Sequence, residues 1–81
     1  MATRFDLESW LQRTLQGIPG RSANIVTICR SVWKEHENEL RNSGDLFYTW
    51  QYDIRWAANR LRRQKILKPV ETSPKGFWEL T

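Results

Sequence analysis

Eighty-one residues allow one domain with a modest core, and 40% hydrophobic content with both charge signs excludes a disordered polar tail. A single cysteine, Cys29, excludes an internal disulfide. No apolar run approaches the ~18 residues of a membrane span, and the opening MATRFDLESW lacks the apolar stretch of a secretory signal, so a soluble cytoplasmic protein is expected. The net charge of +4 is unevenly placed: residues 1–40 carry five Lys/Arg and five Asp/Glu, residues 41–81 eight and four.

In chain order, Thr3-Arg4-Phe5-Asp6 reads as a capping box, with Asp6 near the positive end of a helix. Leu7, Trp10, Leu11 and Leu15 recur at helical spacing, which predicts a helix over 4–16. Gly17-Ile18-Pro19-Gly20 stops it. Ser22 or Asn24 can cap a second helix over 23–41, with Ile25, Ile28, Cys29, Val32 and Trp33 as its apolar stripe. A polar tail, KEHENELRNSG, follows, with Leu40 as its apolar anchor. Glu35, Glu37 and Glu39 read as a solvated helix face, and Asn42-Ser43-Gly44 ends the helix. Asp45-Leu46-Phe47-Tyr48 reads as a short apolar link or strand stub.

Thr49 can cap a third helix over 50–64. At about 100° per residue, Trp50, Ile54, Ala57 and Leu61 share an inner face. The outer face collects Tyr52, Arg55, Trp56, Asn59, Arg62 and Arg63, with Gln51 at the border and no acid. From Arg55 to Lys68 there are six cations and no carboxylate. Trp56 has two readings: its place on the wheel is outward, while a Trp beside Ala57 suits packing against another element. Ile66 to Val70 reads as a strand, with Pro69 tolerable at a sheet edge. Thr72 to Gly76 is a turn, and Phe77, Trp78 and Leu80 form the returning strand of a hairpin over 66–80.

The fold class is therefore α+β, mainly α: three helices followed by a two-stranded β-hairpin, the order of a winged helix-turn-helix domain over 1–81. In that arrangement the third helix enters the major groove of double-stranded DNA and the hairpin, or wing, lies along the backbone. Arg55, Arg62 and Arg63 suit phosphate or guanine, and Asn59 suits adenine. Gln51 and Tyr52 sit near the helix start, the end that reaches deepest, and Lys65, Lys68 and Lys75 would position the protein on phosphates.

The run Phe47, Ile54-Arg55-Trp56-Ala57, Leu61, Ile66-Leu67 and Lys75-Gly76-Phe77-Trp78-Glu79-Leu80-Thr81 resembles the N-terminal winged-helix domain of Mrr-type restriction endonucleases. The likeness covers about the last 35 residues, with Trp-Ala in the third helix and a Gly-x-Trp-x-Leu-Thr ending. It implies DNA binding that targets a nuclease, in a bacterial setting. Those enzymes add a catalytic domain with a Glu-x-Lys or Gln-x-Lys pair. This chain has no Glu-x-Lys, and its Gln64-Lys65 pair lacks the intervening residue. The expectation is a non-enzymatic module, either free-standing or part of a larger protein.

Other chemistry finds little footing. His36 is the sole histidine and lacks companions at zinc-ligand spacing. Cys29 and His36 lie about two helical turns apart, too far for a catalytic pair. No Gly-rich phosphate loop is present. No cofactor or metal is expected. The competing reading is a protein-interaction or dimerisation module, in which exposed Tyr52 and Trp56 anchor a second copy or a nuclease partner.

Overall fold

The computed structural model describes residues 2–81. Helix α1 spans Arg4–Gln16, as the capping box foretells: the Asp6 carboxylate accepts the Thr3 N–H at 2.8 Å. Leu7, Trp10, Leu11, Thr14 and Leu15 are its buried side. The helix ends at Gly17, whose N–H still reaches the Arg13 carbonyl at 3.1 Å. Gly20 (φ 79°) and Arg21 (φ 55°) then reverse the chain through two consecutive left-handed residues.

Strand β1, Ser22–Asn24, follows where the sequence suggested only a helix cap. It pairs antiparallel with β2, Phe77–Glu79, in the register Ser22–Glu79, Ala23–Trp78 and Asn24–Phe77. The expected hairpin is thereby corrected. The 66–70 stretch contributes one bridge, Leu67 to Leu80, supported by Lys68 N–H to the Glu79 carbonyl and Thr81 N–H to the Ile66 carbonyl, each 2.9 Å. Pro69 has no N–H to continue that ladder, and the chain leaves it for a single 3-10 turn at Val70–Thr72. The expected turn glycine holds: Gly76 has φ 79°, and Phe77 N–H reaches the Pro74 carbonyl at 3.0 Å. β2 thus lies between β1 and the 66–68 stretch, so its main partner comes from the other end of the chain.

Helix α2 spans Ile25–Arg41 and is capped by Asn24, whose side chain accepts the Val26 N–H at 2.8 Å. The Ile25 N–H reaches the Gly76 carbonyl at 2.9 Å, fastening the start of α2 to the 69–76 loop. The helix kinks at His36 (φ −124°, ψ 18°). That ring stacks on Trp10 at 3.8 Å and lies 2.9 Å from the Glu39 carboxylate. Ser43 closes the turn after α2; its hydroxyl donates to the Glu39 carbonyl and accepts the Ala2 N–H at 3.1 Å.

Helix α3 spans Leu46–Arg63 and begins four residues earlier than the sequence suggested. Asp45 to Tyr48 is neither link nor strand. Leu46 is buried and extends the stripe Trp50, Ile54, Ala57, Ala58 and Leu61 by one turn. Thr49 is consequently inside the helix, and its hydroxyl donates to the Asp53 carboxylate at 2.7 Å. The helix closes in a Schellman pattern: Lys65 N–H reaches the Arg62 carbonyl at 3.0 Å and Ile66 N–H the Leu61 carbonyl at 2.9 Å. Lys65 takes the left-handed position (φ 64°) that glycine usually fills.

The buried apolar residues form one cluster from all three helices, β1 and β2, together with Ala2, Leu67 and Leu80. Trp10 and Trp50 are core, as their helical spacing suggested, and so is Trp78, whereas Trp33, on the same kind of stripe, is half-buried. Cys29 is also half-buried rather than enclosed. None of the described helices is long and apolar enough to cross a membrane.

Candidate functional site

Helix α3 has two unlike sides besides its core face. Toward α1, Trp56 is half-buried and meets Phe5 edge-on at 5.5 Å. The Arg4 and Arg60 guanidinium groups lie over its ring at 4.2 and 5.0 Å. Arg60 also pairs with Glu8 of α1. Trp56 therefore packs between helices, which agrees with the structural reading of its place beside Ala57.

On the solvent side, Tyr48, Tyr52, Arg55, Asn59, Arg62 and Arg63 fall within about 100° of arc along about 22 Å of helix. Tyr48 and Tyr52 are 83% and 84% exposed. Arg55, Asn59 and Arg63 are exposed, and Arg62 is half-buried, with its guanidinium bonded to Asn59 at 2.9 Å. Among the described residues no carboxylate forms an ion pair with Arg55, Arg62 or Arg63. Two of the three acids of α2 are engaged locally: Glu37 binds Arg41 at 2.7 Å, and Glu39 holds His36. Glu37 and Glu39 are thus partnered rather than simply solvated. The cations at the C-terminal end of α3 also complement its dipole, worth about 0.3–1 kcal/mol each, an effect that does not extend to mid-helix Arg55.

Helix α3 brings together Gln51, Tyr52, Arg55, Asn59, Arg62 and Arg63. The three expected lysines are scattered around it. Lys65 is exposed at the α3 terminus. Lys68 is linked through its carbonyl to Arg62 Nε at 3.4 Å, but its ammonium is 3.2 Å from Glu79, so it is not a free cation. Lys75 is exposed beside Gly76, whose carbonyl binds the first N–H of α2; it flanks that helix start instead of tipping a free hairpin.

Two features were missed in the sequence. Tyr48 joins the stripe because α3 starts at Leu46; the i,i+4 series Leu46, Trp50, Ile54 carried that signal. The second feature is a cavity of about 530 Å³ between α2 and α3. Ile25, Val26, Cys29, Trp33, Phe47 and Trp50 line it, with Arg30, Gln51 and Arg55 as its polar members. Burial pushes the Cys29 thiol up from its ordinary value, and nearby Arg55 partly opposes this. The thiol is accordingly held neutral. Among the described residues no cluster of His, Cys, Asp or Glu has the make-up of a metal site. Comparison with protein families, curated proteins and solved structures finds no match to this chain.

Proposed function

We propose that this chain is a non-enzymatic DNA-binding module of winged-helix type. Helix α3 lies in the major groove of a duplex, and the 69–76 loop serves as the wing beside the backbone. One observation carries the reading: an acid-free stripe of Tyr48, Tyr52, Arg55, Asn59, Arg62 and Arg63 on the solvent side of a single helix, all exposed but the half-buried Arg62. A groove about 12 Å wide admits such a helix. Arginine donates in a fork that matches phosphate or guanine, and an Asn amide matches adenine. Arg62 donates to the Asn59 amide oxygen at 2.9 Å, which holds the two side chains together on that face. The element order and the antiparallel strand beside β2 support the winged-helix assignment. The resemblance to Mrr-type domains extends it to the targeting part of a restriction-type system.

The test is fluorescence anisotropy of a labelled random-sequence duplex across a salt series. Affinity should fall with salt at about −0.9 in log–log slope per phosphate neutralised. Arg55→Ala with Arg62→Ala should weaken binding at least about tenfold and flatten the slope by about one to two. Unchanged binding in that double variant removes α3 from the contact surface.

A second reading rests on the two tyrosines. Side chains exposed to 83% and 84%, one helical turn apart, are suitable anchors for a protein partner or a second copy. Sedimentation of the free protein separates the readings: a dimer with no duplex affinity, dispersed by Tyr52→Ala, favours a docking module.

A further inference from the structure

The α2–α3 cavity borders the proposed DNA surface but is built differently. Its interior is apolar and aromatic: Trp33 and Trp50 stack at 6.1 Å with an interplanar angle of 12°, and Phe47 lies 6.2 Å from Trp33. These rings come from two helices and meet at the cavity, leaving Trp33 half-buried. About 530 Å³ is within the usual ~300–1,000 Å³ of small-molecule sites. Its charge is one-signed. Arg30 of α2 and Arg55 of α3 both line it, and among the described residues neither has a carboxylate partner. The Cys29 thiol, kept protonated by burial, adds no negative charge.

A phosphate backbone satisfies the arginines but not the rings, because a hydrated polyanion gains nothing from an apolar cavity. A neutral hydrocarbon satisfies the rings and leaves both cations unmatched. A flat ring bearing one anion answers both needs, with the ring against the aromatic wall and the carboxylate toward the arginine-lined part of the cavity.

We propose that the α2–α3 cavity binds a small planar aromatic carboxylate, whose occupancy competes with DNA for Arg55 and Gln51. The cavity stands on its own lining; the competition rests on the DNA-binding reading above. Bound ligand would occupy Arg55 and raise a wall beside Gln51, placing an anion where a phosphate or base edge would otherwise come. Anionic ligand and anionic duplex then exclude each other by charge as well as by volume.

The test uses the whole chain and 2-naphthoate as probe, first without DNA. Tryptophan fluorescence should change saturably, and amide shifts should concentrate at Cys29, Trp33 and Gln51. The neutral isostere 2-naphthalenemethanol should bind about tenfold more weakly, and Arg55→Ala and Arg30→Ala should each weaken naphthoate about five- to tenfold. Val26→Trp, at an exposed cavity-lining residue, should block binding without disturbing the core. Shifts that map elsewhere, or equal binding of the neutral isostere, overturn the site. Saturating naphthoate should then weaken duplex binding at least about fivefold. Undiminished duplex affinity with naphthoate bound overturns the competition. A protein that takes naphthoate but no duplex supports the cavity and overturns the DNA reading, so the two failures are distinct.

Discussion

The two flanks of α3 carry the same residue types and use them in opposite ways. On the α1 flank, Arg60 meets Glu8 and lies over Trp56, which in turn meets Phe5 edge-on. On the solvent flank, Arg55, Arg62 and Arg63 meet no acid, and Tyr48 and Tyr52 stand out in water. A cation with a carboxylate and a ring beside it is part of the packing. A cation without either remains open to a partner. The arginines of α3, Arg55 to Arg63, are therefore two populations, divided by which side of the helix each occupies.

The difference should show most in the aromatics. Trp56→Ala removes a half-buried ring between two helices and should cost about 2 kcal/mol, below the about 3–5 kcal/mol of a fully buried Trp. Tyr52→Ala should stay within about 0.5 kcal/mol, as exposed positions do. Urea denaturation of the two variants measures both values, and equal losses would erase the division. A smaller contrast concerns charge. Glu8→Gln should cost about 1 kcal/mol, because it weakens a partly buried ion pair, whereas Arg55→Ala should leave stability within about 0.5 kcal/mol and act on ligands alone.

The smallest expected effect is at Lys65. Glycine relieves a left-handed residue of about 1 kcal/mol but gives the unfolded chain about 0.4–1 kcal/mol more entropy, so Lys65→Gly should leave the midpoint nearly unchanged. If Lys65 touches phosphate, the same variant should lower the salt slope by about one. A large loss of stability would instead make that lysine part of the fold.

The clearest local signals were read where local energetics act alone. Helix α1 begins and ends at the residues marked by its capping box and by Gly17, since both involve neighbours in sequence. The start of α3 was misplaced because Thr49, a good cap by type, stands one turn inside the true helix, where Leu46 buries itself by joining the stripe of Trp50 and Ile54. The arginine stripe was legible because helical angle follows from sequence spacing alone. Lys68 was not legible as a paired cation, because Glu79 reaches it only through the strand register.

Spacing and capping thus determined by themselves that there would be three helices, which residues would line their inner sides, and that one side of the third would be basic. Tertiary structure decided the rest. β1 is three residues, Ser22–Asn24, with no periodic pattern of its own, and it exists because Phe77–Glu79 supplies its hydrogen bonds from more than fifty positions away. The division of α3 into a packed flank and an open one, and the cavity beside it, required α1 and α2 to dock at particular angles. Docking is set by how whole side-chain surfaces fit together, a property that no single stretch of the chain contains.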